Sequence, residues 1–428
     1  MQNQVLCKAT LHAWLDEIPY DTLPQTIKDA IRVTQEIGLR YLWVDALCIV
    51  QDDYDGKLAQ IESMARIYEE AYVTISAQRA SSVQDGFLHP RLDPENALHA
   101  GFKLPFRCSS GELGSVTLVQ LDPSNTIPPE PLSRRAWALQ ETLLSPRILE
   151  YRSAHLRWRC ATGLDGPKYV DGWTSGTLSR WDAWFDWSEI DSVGSFEPRM
   201  WRDLVFEYST RRLTYPDDKL RAISAVSRKI HERSGDVYVA GLWRSRLCEY
   251  LCWRTYFSVL DYSPGDSDTH NCGGGRASSY RAPSWSWASM NGAIDWSADG
   301  PIVLTFLDVH LETMPPNDPY GTILNAYILV KGPCCRVGII DDYVFLDRAE
   351  HTIPCRPWFD IHPSAMEVDL RKQKLLLLQV HDTVGLFLTE LSNKRFQRIG
   401  LFAIRSDAEA SAEFSLGQRW RTETVTIV

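Results

Sequence analysis

The chain has 428 residues, a formal net charge of −10 and 44% hydrophobic residues. This length exceeds the usual size of one hydrophobic core, so we expect two domains in an ordinary globular protein. The acidic charge argues against nucleic acid or an anionic membrane surface as the main partner, because both bind basic faces. The ten cysteines are scattered, which is typical of reduced thiols, and they lack the paired short spacing of zinc ligands. We therefore predict no metal site.

Targeting and membrane segments are not evident in the sequence. The N-terminal residues lack the basic and apolar regions of a secretory signal. No apolar run reaches the ~18 residues that a membrane-spanning helix needs, and the closest, RYLWVDALCIV, is interrupted by Asp45. We expect a cytoplasmic protein without a membrane span.

The first half of the chain alternates helix-like and strand-like segments. A helix is predicted from Thr22 and Pro24, which suit a helix start, to Gly38, which suits a helix end. The apolar runs Tyr41–Val44 and Val73–Ala77 are typical of buried strands, and an amphipathic helix lies between them. This order predicts a parallel sheet flanked by helices, with the two runs as adjacent parallel strands.

Polar residues follow both predicted strands at their carboxyl ends. Ligands bind beyond this edge of a parallel sheet, so the two groups are expected to face one crevice. The alternative is that Asp45 and Ser76 only cap neighbouring helices and hold loops in place. The first group comprises Asp45, Cys48, Gln51, Asp52 and Asp53, and the second comprises Gln78, Arg79, Ser81 and Ser82.

A third segment, SRRAWALQETLLSPRILEY, is predicted to be a helix that Pro146 ends. Trp137 and Glu141 are four residues apart, so their side chains share one face of this helix. Glu141 has two interpretations: it pairs with Arg135 or Arg147 in a structural role, or it acts chemically.

Three segments together resemble the signature blocks of the fungal heterokaryon-incompatibility (HET) domain. They are RYLWVDALCIVQDD (Arg40–Asp53), ARIYEEAYVTISAQRASSVQDGFL (Ala65–Leu88) and SRRAWALQETLLSPRILEY (Ser133–Tyr151). The resemblance continues through YSTRRLTYPDDKLRAIS, YVAGLW and RAPSWSWASMNG to FQRIGLF, and so covers nearly the whole chain. In one respect the chain departs from the family pattern: we expect it to lack the first strand, which ends in a Ser-Tyr-x-Trp-Gly-like segment. Three explanations stay open: the domain is degenerate, Val5 and Leu6 with a later strand substitute for it, or the gene model begins too late.

The resemblance implies a fungal protein of non-self recognition, in which HET domains trigger growth arrest and programmed cell death. HET domains are distantly similar to Toll/interleukin-receptor (TIR) domains, whose enzymatic members cleave NAD with a glutamate in a helical Trp-Cys-x-x-Glu motif. Trp137 and Glu141 match that spacing, with alanine in place of cysteine. The likeness implies Glu141 as the catalytic group and NAD as a substrate, with no cofactor required. The residues implied to bind NAD are Asp45, Gln51, Asp52, Arg135 and Trp137.

Two other functions are compatible with the same resemblance. In the first, the domain is a non-catalytic module that signals by self-association or by binding other incompatibility proteins. In the second, the chain is a HET-like protein recruited to a metabolic gene cluster. Convergence of Asp45, Gln51, Arg135 and Glu141 on one site would favour the enzyme.

The remainder of the chain divides by composition. Residues 1–160 are assigned to the HET domain, 161–262 to a mostly helical segment, 263–280 to a flexible linker and 281–428 to a β-rich domain. Regularly spaced strand-like runs in the last part predict an antiparallel sandwich or barrel. It shows no convergent titratable residues, so we expect it to contribute little to chemistry.

Overall fold

A computed structural model describes residues 4–53, 63–91, 101–107, 111–119, 130–161, 168–172, 187, 190, 197–256, 275–296, 300–340, 343–346, 355–360, 370–391, 394–404 and 420–428. The chain divides into two compact units, residues 1–186 and 187–428. Of the predicted linker 263–280, residues 263–274 lie outside the described residues.

The first unit begins with helices α1 (Leu11–Asp16), α2 (Gln25–Glu36), α3 (Asp45–Cys48) and α4 (residues 63–70). The predicted helix is confirmed as α2, which buries Ile27 and Val33 and is followed by Gly38 in the left-handed conformation at φ +78°. Thr22 does not cap it, because its hydroxyl donates instead to the carbonyl of Pro19.

A four-stranded sheet completes the first unit. Its strands are β1 (Thr74–Ser76), β4 (Arg147–Tyr151), β5 (His155–Cys160) and β6 (Lys168–Gly172), in the order β1-β4-β5-β6. Helix α5 (Trp137–Leu144) leads into β4, and β2 (Gly101–Arg107) pairs with β3 (Leu113–Val119) in a separate hairpin. Only β1 and β4 are parallel; β4 with β5 and β5 with β6 are antiparallel. The sheet is therefore mixed, where the sequence predicted a parallel one.

The predicted pairing of Tyr41–Val44 with Val73–Ala77 is wrong. Both segments lie in described parts of the chain, yet no backbone hydrogen bond joins them, and the Tyr41 side chain is 86% exposed. β1 pairs instead with β4, whose residues Ile148 and Glu150 are buried. An apolar run of four residues does not specify its neighbour, because the neighbour is whichever strand the tertiary fold brings alongside.

The second unit opens with helices and short strands around a tryptophan-rich core. Helices α6 (Pro198–Ser209), α7 (Ser224–Ser234) and α8 (Leu247–Tyr250) alternate with the hairpin of β7 (Tyr238–Val239) and β8 (Leu242–Trp243). β9 (Trp253–Tyr256) pairs with β10 (Ala293–Trp296). The indole N–H groups of Trp201 and Trp287 both donate to the carbonyl of Gly241, at 2.9 and 2.7 Å. These bonds satisfy polar atoms that would otherwise be buried without partners.

The end of the chain is a large β-sheet, which confirms the β-rich region predicted after residue 281. Five strands, β12, β15, β16, β17 and β18, close into a ring, since β18 pairs with both β17 and β12. Leu377, Phe387 and Phe402 pack in its interior. The strands are β11 (Thr305–Met314), β12 (Thr322–Ile340), β13 (Tyr343–Leu346), β14 (Cys355–Phe359), β15 (Leu375–Gln379), β16 (Val384–Glu390), β17 (Arg395–Ile404) and β18 (Arg421–Ile427).

Candidate functional site

Tyr68 on α4 and Glu141 on α5 lie side by side at the centre of the candidate site. Both side chains are half-buried. Burial raises the pKa of Tyr68 well above its ordinary value, the negative charges of Glu141 and Asp45 raise it further, and Arg135 opposes the shift. The phenol therefore stays protonated at neutral pH beside the carboxylate.

Three separate segments of the chain meet around Tyr68. Asp45 comes from the start of α3, Tyr68 from α4, and Arg135 and Glu141 from the segment that forms α5. Asp45 and Arg135 are exposed and act on Tyr68 through their charges, while Trp43 packs edge-on against the Tyr68 ring at 5.8 Å between centroids. The site thus combines two carboxylates, one guanidinium and one phenol, a composition that can bind a polar ligand and stabilise a positive charge.

Other residues predicted for this site lie outside the group around Tyr68. The Gln51 amide donates to the carbonyls of Asp45 and Ile49, at 3.2 and 3.0 Å, and so holds the turn after α3. The Asp52 carboxylate accepts the backbone N–H of Lys8 at 2.8 Å, which fastens the N-terminal segment. Trp137 is half-buried on α5, one turn before Glu141.

The polar residues after β1 hold a loop together through hydrogen bonds within it. Ser81 and Ser82 both donate through their hydroxyls to Asp85, at 2.5 and 2.7 Å. Hydrogen bonds from Ser81 and then Ser82 lower the pKa of Asp85 to about 2. The Arg79 guanidinium donates to the carbonyls of His89 and Pro90.

A buried aspartate on α2 fastens the far end of this loop. Asp29 accepts the backbone N–H groups of Phe87 and Leu88 at 2.7 and 3.1 Å, and the Gln25 amide at 2.7 Å. Gly86 has φ +70°, and a Cβ placed on it would lie 2.6 Å from the Asp29 Oδ2 atom. The role of Asp29 has no signal of its own in the sequence, where the nearest cue is the Asp-Gly pair close to the end of the second segment.

We expect Gly86→Ala to lower the free energy of unfolding by about 3 kcal/mol, because it combines a strained backbone with displacement of the Asp29 carboxylate. Gly38→Ala is the matched control: Gly38 has φ +78° but nothing within 4 Å of its would-be Cβ, so we expect a loss of about 1 kcal/mol. Urea-induced unfolding of both variants measures the difference. Equal losses of unfolding free energy in the two variants would mean that the Asp29 side chain can move aside without destabilising the fold.

The inner face of the sheet carries a buried charge cluster that the sequence did not reveal. Glu150 on β4 lies 2.6 Å from Arg157 and 3.1 Å from Arg159, both on β5, and 3.7 Å from Arg152. Burial by itself would raise the pKa of Glu150, but the charges of Arg157, Arg159 and Arg152 outweigh it and the pKa is lowered. Glu150 is therefore a buried anion that holds two strands together.

The first unit thus combines helices with a mixed sheet, and three distant segments meet around the half-buried Tyr68 and Glu141 side chains. Residues 6–141 match the family model described as "Heterokaryon incompatibility protein (HET)". These residues therefore form a HET domain, which confirms the domain that the three segments predict. No curated protein and no solved structure matches the chain.

Among the residues that the structure describes, no helix is both long and apolar enough to span a membrane. The same residues contain no group of three or more histidine, cysteine, aspartate or glutamate side chains that could hold a metal ion.

Proposed function

We propose that this HET domain serves fungal non-self recognition and cell-death signalling, and that it does so by hydrolysing NAD on a TIR-like α/β scaffold. The observation that supports the proposal is the convergence of Asp45, Arg135 and Glu141 on Tyr68, from three segments far apart in the chain. Complementary charges around a half-buried phenol, where three segments of the chain meet, are typical of a binding site.

Glu141 is the proposed catalytic residue. Water attacks C1′ of the nicotinamide-bearing ribose, the bond from C1′ to the nicotinamide nitrogen breaks, and nicotinamide leaves with the bonding electron pair. Water supplies the new hydroxyl group and releases one proton, so the products are nicotinamide, ADP-ribose and H⁺. Positive charge develops on the ribose as the bond breaks, and the Glu141 carboxylate stabilises it. The neighbouring Tyr68 phenol stays protonated and orients that carboxylate in this proposal without neutralising it.

The remaining residues of the site bind and position the substrate in this proposal. Arg135 pairs with the diphosphate, since a guanidinium binds phosphate oxygens in a bidentate manner. Asp45 accepts the ribose hydroxyls, and Trp137 stacks on the nicotinamide ring. Gln51 acts indirectly, because its amide fixes the turn that carries Asp45. Asp52 supports the same turn through its bond to the N-terminal segment.

The test is mass-spectrometric measurement of NAD loss and nicotinamide release by the purified chain. We expect Glu141→Gln, which keeps the shape and removes the charge, to lower kcat by about 100-fold or more. Glu36→Gln, at the exposed end of α2, is the matched control and should leave the rate unchanged. Hydrolysis that survives in a folded Glu141→Gln variant contradicts the assignment.

A second candidate function, signalling by self-association, is favoured by the open edge of the sheet. Strand β1 pairs with β4 on one side and with no other strand in the described part of the chain. Unpaired strand edges are sites at which a second chain adds to a sheet. A wild-type protein that leaves NAD intact but forms concentration-dependent oligomers in analytical ultracentrifugation would support this function instead.

A further inference from the structure

A pocket in the second unit has an unusual charge composition. It lies at the C-terminal end of α6 and measures ≈ 420 Å³, including the solvent at its mouth. Both chain segments that form it belong to the stretches that resemble HET proteins beyond residue 141. None of the described residues that line it is acidic, and four are basic: Arg211, Arg212, Lys219 and Arg281.

Two of these cations are buried without a carboxylate partner. Lys219 is 5% exposed and Arg281 is 8% exposed. The Lys219 Nζ atom donates to the carbonyl of Met290 at 2.6 Å and lies 5.6 Å from the centre of the Trp287 ring. Arg281 donates to the carbonyls of three residues and to the Asn291 Oδ1 atom at 2.8 Å. Neither cation has a carboxylate within ion-pair distance in the part of the chain that the structure describes.

The positive charge of this pocket cannot be removed entirely by loss of protons. Burial, and then the charge of Arg281, lower the pKa of Lys219 well below its ordinary value, so this lysine can become neutral. An arginine remains protonated in proteins, so Arg281 keeps its charge. The charge of Asp217 acts on Arg281 from beyond ion-pair distance and so compensates this buried charge only in part, and a bound anion would complete the compensation.

The other two basic side chains of the pocket, Arg211 and Arg212, differ in whether a carboxylate already pairs with them. Arg211 pairs with Glu207 at 2.8 Å. Arg212 is exposed and has no hydrogen bond or ion pair with any described residue. Asn291 adds an amide, whose oxygen is used by Arg281. The pocket wall therefore offers N–H donors in excess of acceptors, which is the composition of an oxyanion site.

We infer that this pocket binds a phosphate group, either as free phosphate or as part of a small phosphorylated molecule. Arg212 and Arg281 supply the permanent charge, Lys219 supplies N–H donors, and the amide of Asn291 adds a neutral donor. The C-terminal dipole of α6 opposes an anion here, but it amounts to about half a charge at most and is outweighed by the cations. This inference does not depend on the NAD chemistry proposed for the first unit.

The experiment is titration calorimetry of the full chain with inorganic phosphate and with glycerol phosphate, at constant ionic strength set by sodium chloride. We expect saturable binding by the wild type. Arg212→Gln should weaken it about tenfold, since one charge-assisted hydrogen bond is lost. Arg199→Gln removes an equally exposed arginine from the opposite end of α6 and should change the Kd by less than about twofold. Lys219→Met should also weaken phosphate binding.

The outcomes separate the possibilities. Tighter binding of glycerol phosphate than of phosphate identifies an organic phosphate as the ligand, and equal binding identifies the free anion. The inference is overturned if the wild type shows no saturable binding, or if Arg212→Gln and Arg199→Gln have the same affinity. Arg212 is exposed, so its variant keeps the test valid even if Lys219→Met does not fold.

Discussion

Replacing Glu150 by glutamine is expected to lower the free energy of unfolding of the first unit by about 3–5 kcal/mol. Glu150 is 1% exposed and is the carboxylate nearest to two buried guanidinium groups, those of Arg157 and Arg159. Glutamine keeps the size of the side chain and removes its charge. The variant therefore leaves two buried cations without their counter-charge, which costs more than the loss of any single hydrogen bond.

Urea-induced unfolding of the full chain, followed by hydrogen exchange at β4 and β5, measures this effect. Glu70→Gln is the matched control, because Glu70 pairs with Arg66 at 2.8 Å on the exposed face of α4. We expect that variant to lose less than about 0.5 kcal/mol, as is usual for surface ion pairs. Similar losses in the two variants would show that the Glu150 cluster is fully screened by solvent.

We also expect the stability of the first unit to fall at acid pH because of Glu150. Because the folded-state pKa of Glu150 is lowered from the ordinary value of 4.5, its contribution is complete above that pH and is lost as the pH falls through the lowered pKa. Glu150→Gln removes this titrating group. We therefore expect the difference in stability between wild type and variant to shrink as the pH falls below 4.5.

Replacing Arg398 by methionine is expected to destabilise the second unit by about 3–5 kcal/mol. Arg398 on β17 is fully buried and pairs with Asp360, which is 2% exposed, at 3.0 Å. Its guanidinium also donates to the carbonyls of Leu251 and Trp253 and lies 3.4 Å from the centre of the Trp253 ring. Methionine fills part of the space but leaves a buried carboxylate and two buried carbonyls without a donor.

A double variant separates charge from packing at this site. If the loss arises from the uncompensated carboxylate, Arg398→Met combined with Asp360→Leu should recover more than half of it. Arg395→Met, an exposed arginine on the same strand, is the control and should cost less than about 1 kcal/mol. Denaturant unfolding measures all three variants. Equal stability of the single and double variants would show that the lost carbonyl bonds dominate.

The sequence by itself determined the features that depend on neighbours along the chain. The helical period between Pro24 and Gly38 predicted α2, and the spaced apolar runs after residue 281 predicted a β-rich region. Three segments identified the HET domain that residues 6–141 carry. Helix periodicity and motif spacing involve residues close together in the sequence, so they can be recognised without knowledge of the tertiary structure.

Only the tertiary structure decided which distant residues became partners. It paired β1 with β4 and left residues 41–44 outside the sheet. It also placed Tyr68 beside Glu141, a residue on a different helix. The buried positions of Glu150 and Lys219 were equally unforeseen, since charged residues are expected on the surface. Partner choice and the pairing of buried charge depend on the three-dimensional proximity of segments remote in the chain, and no local pattern encodes that proximity.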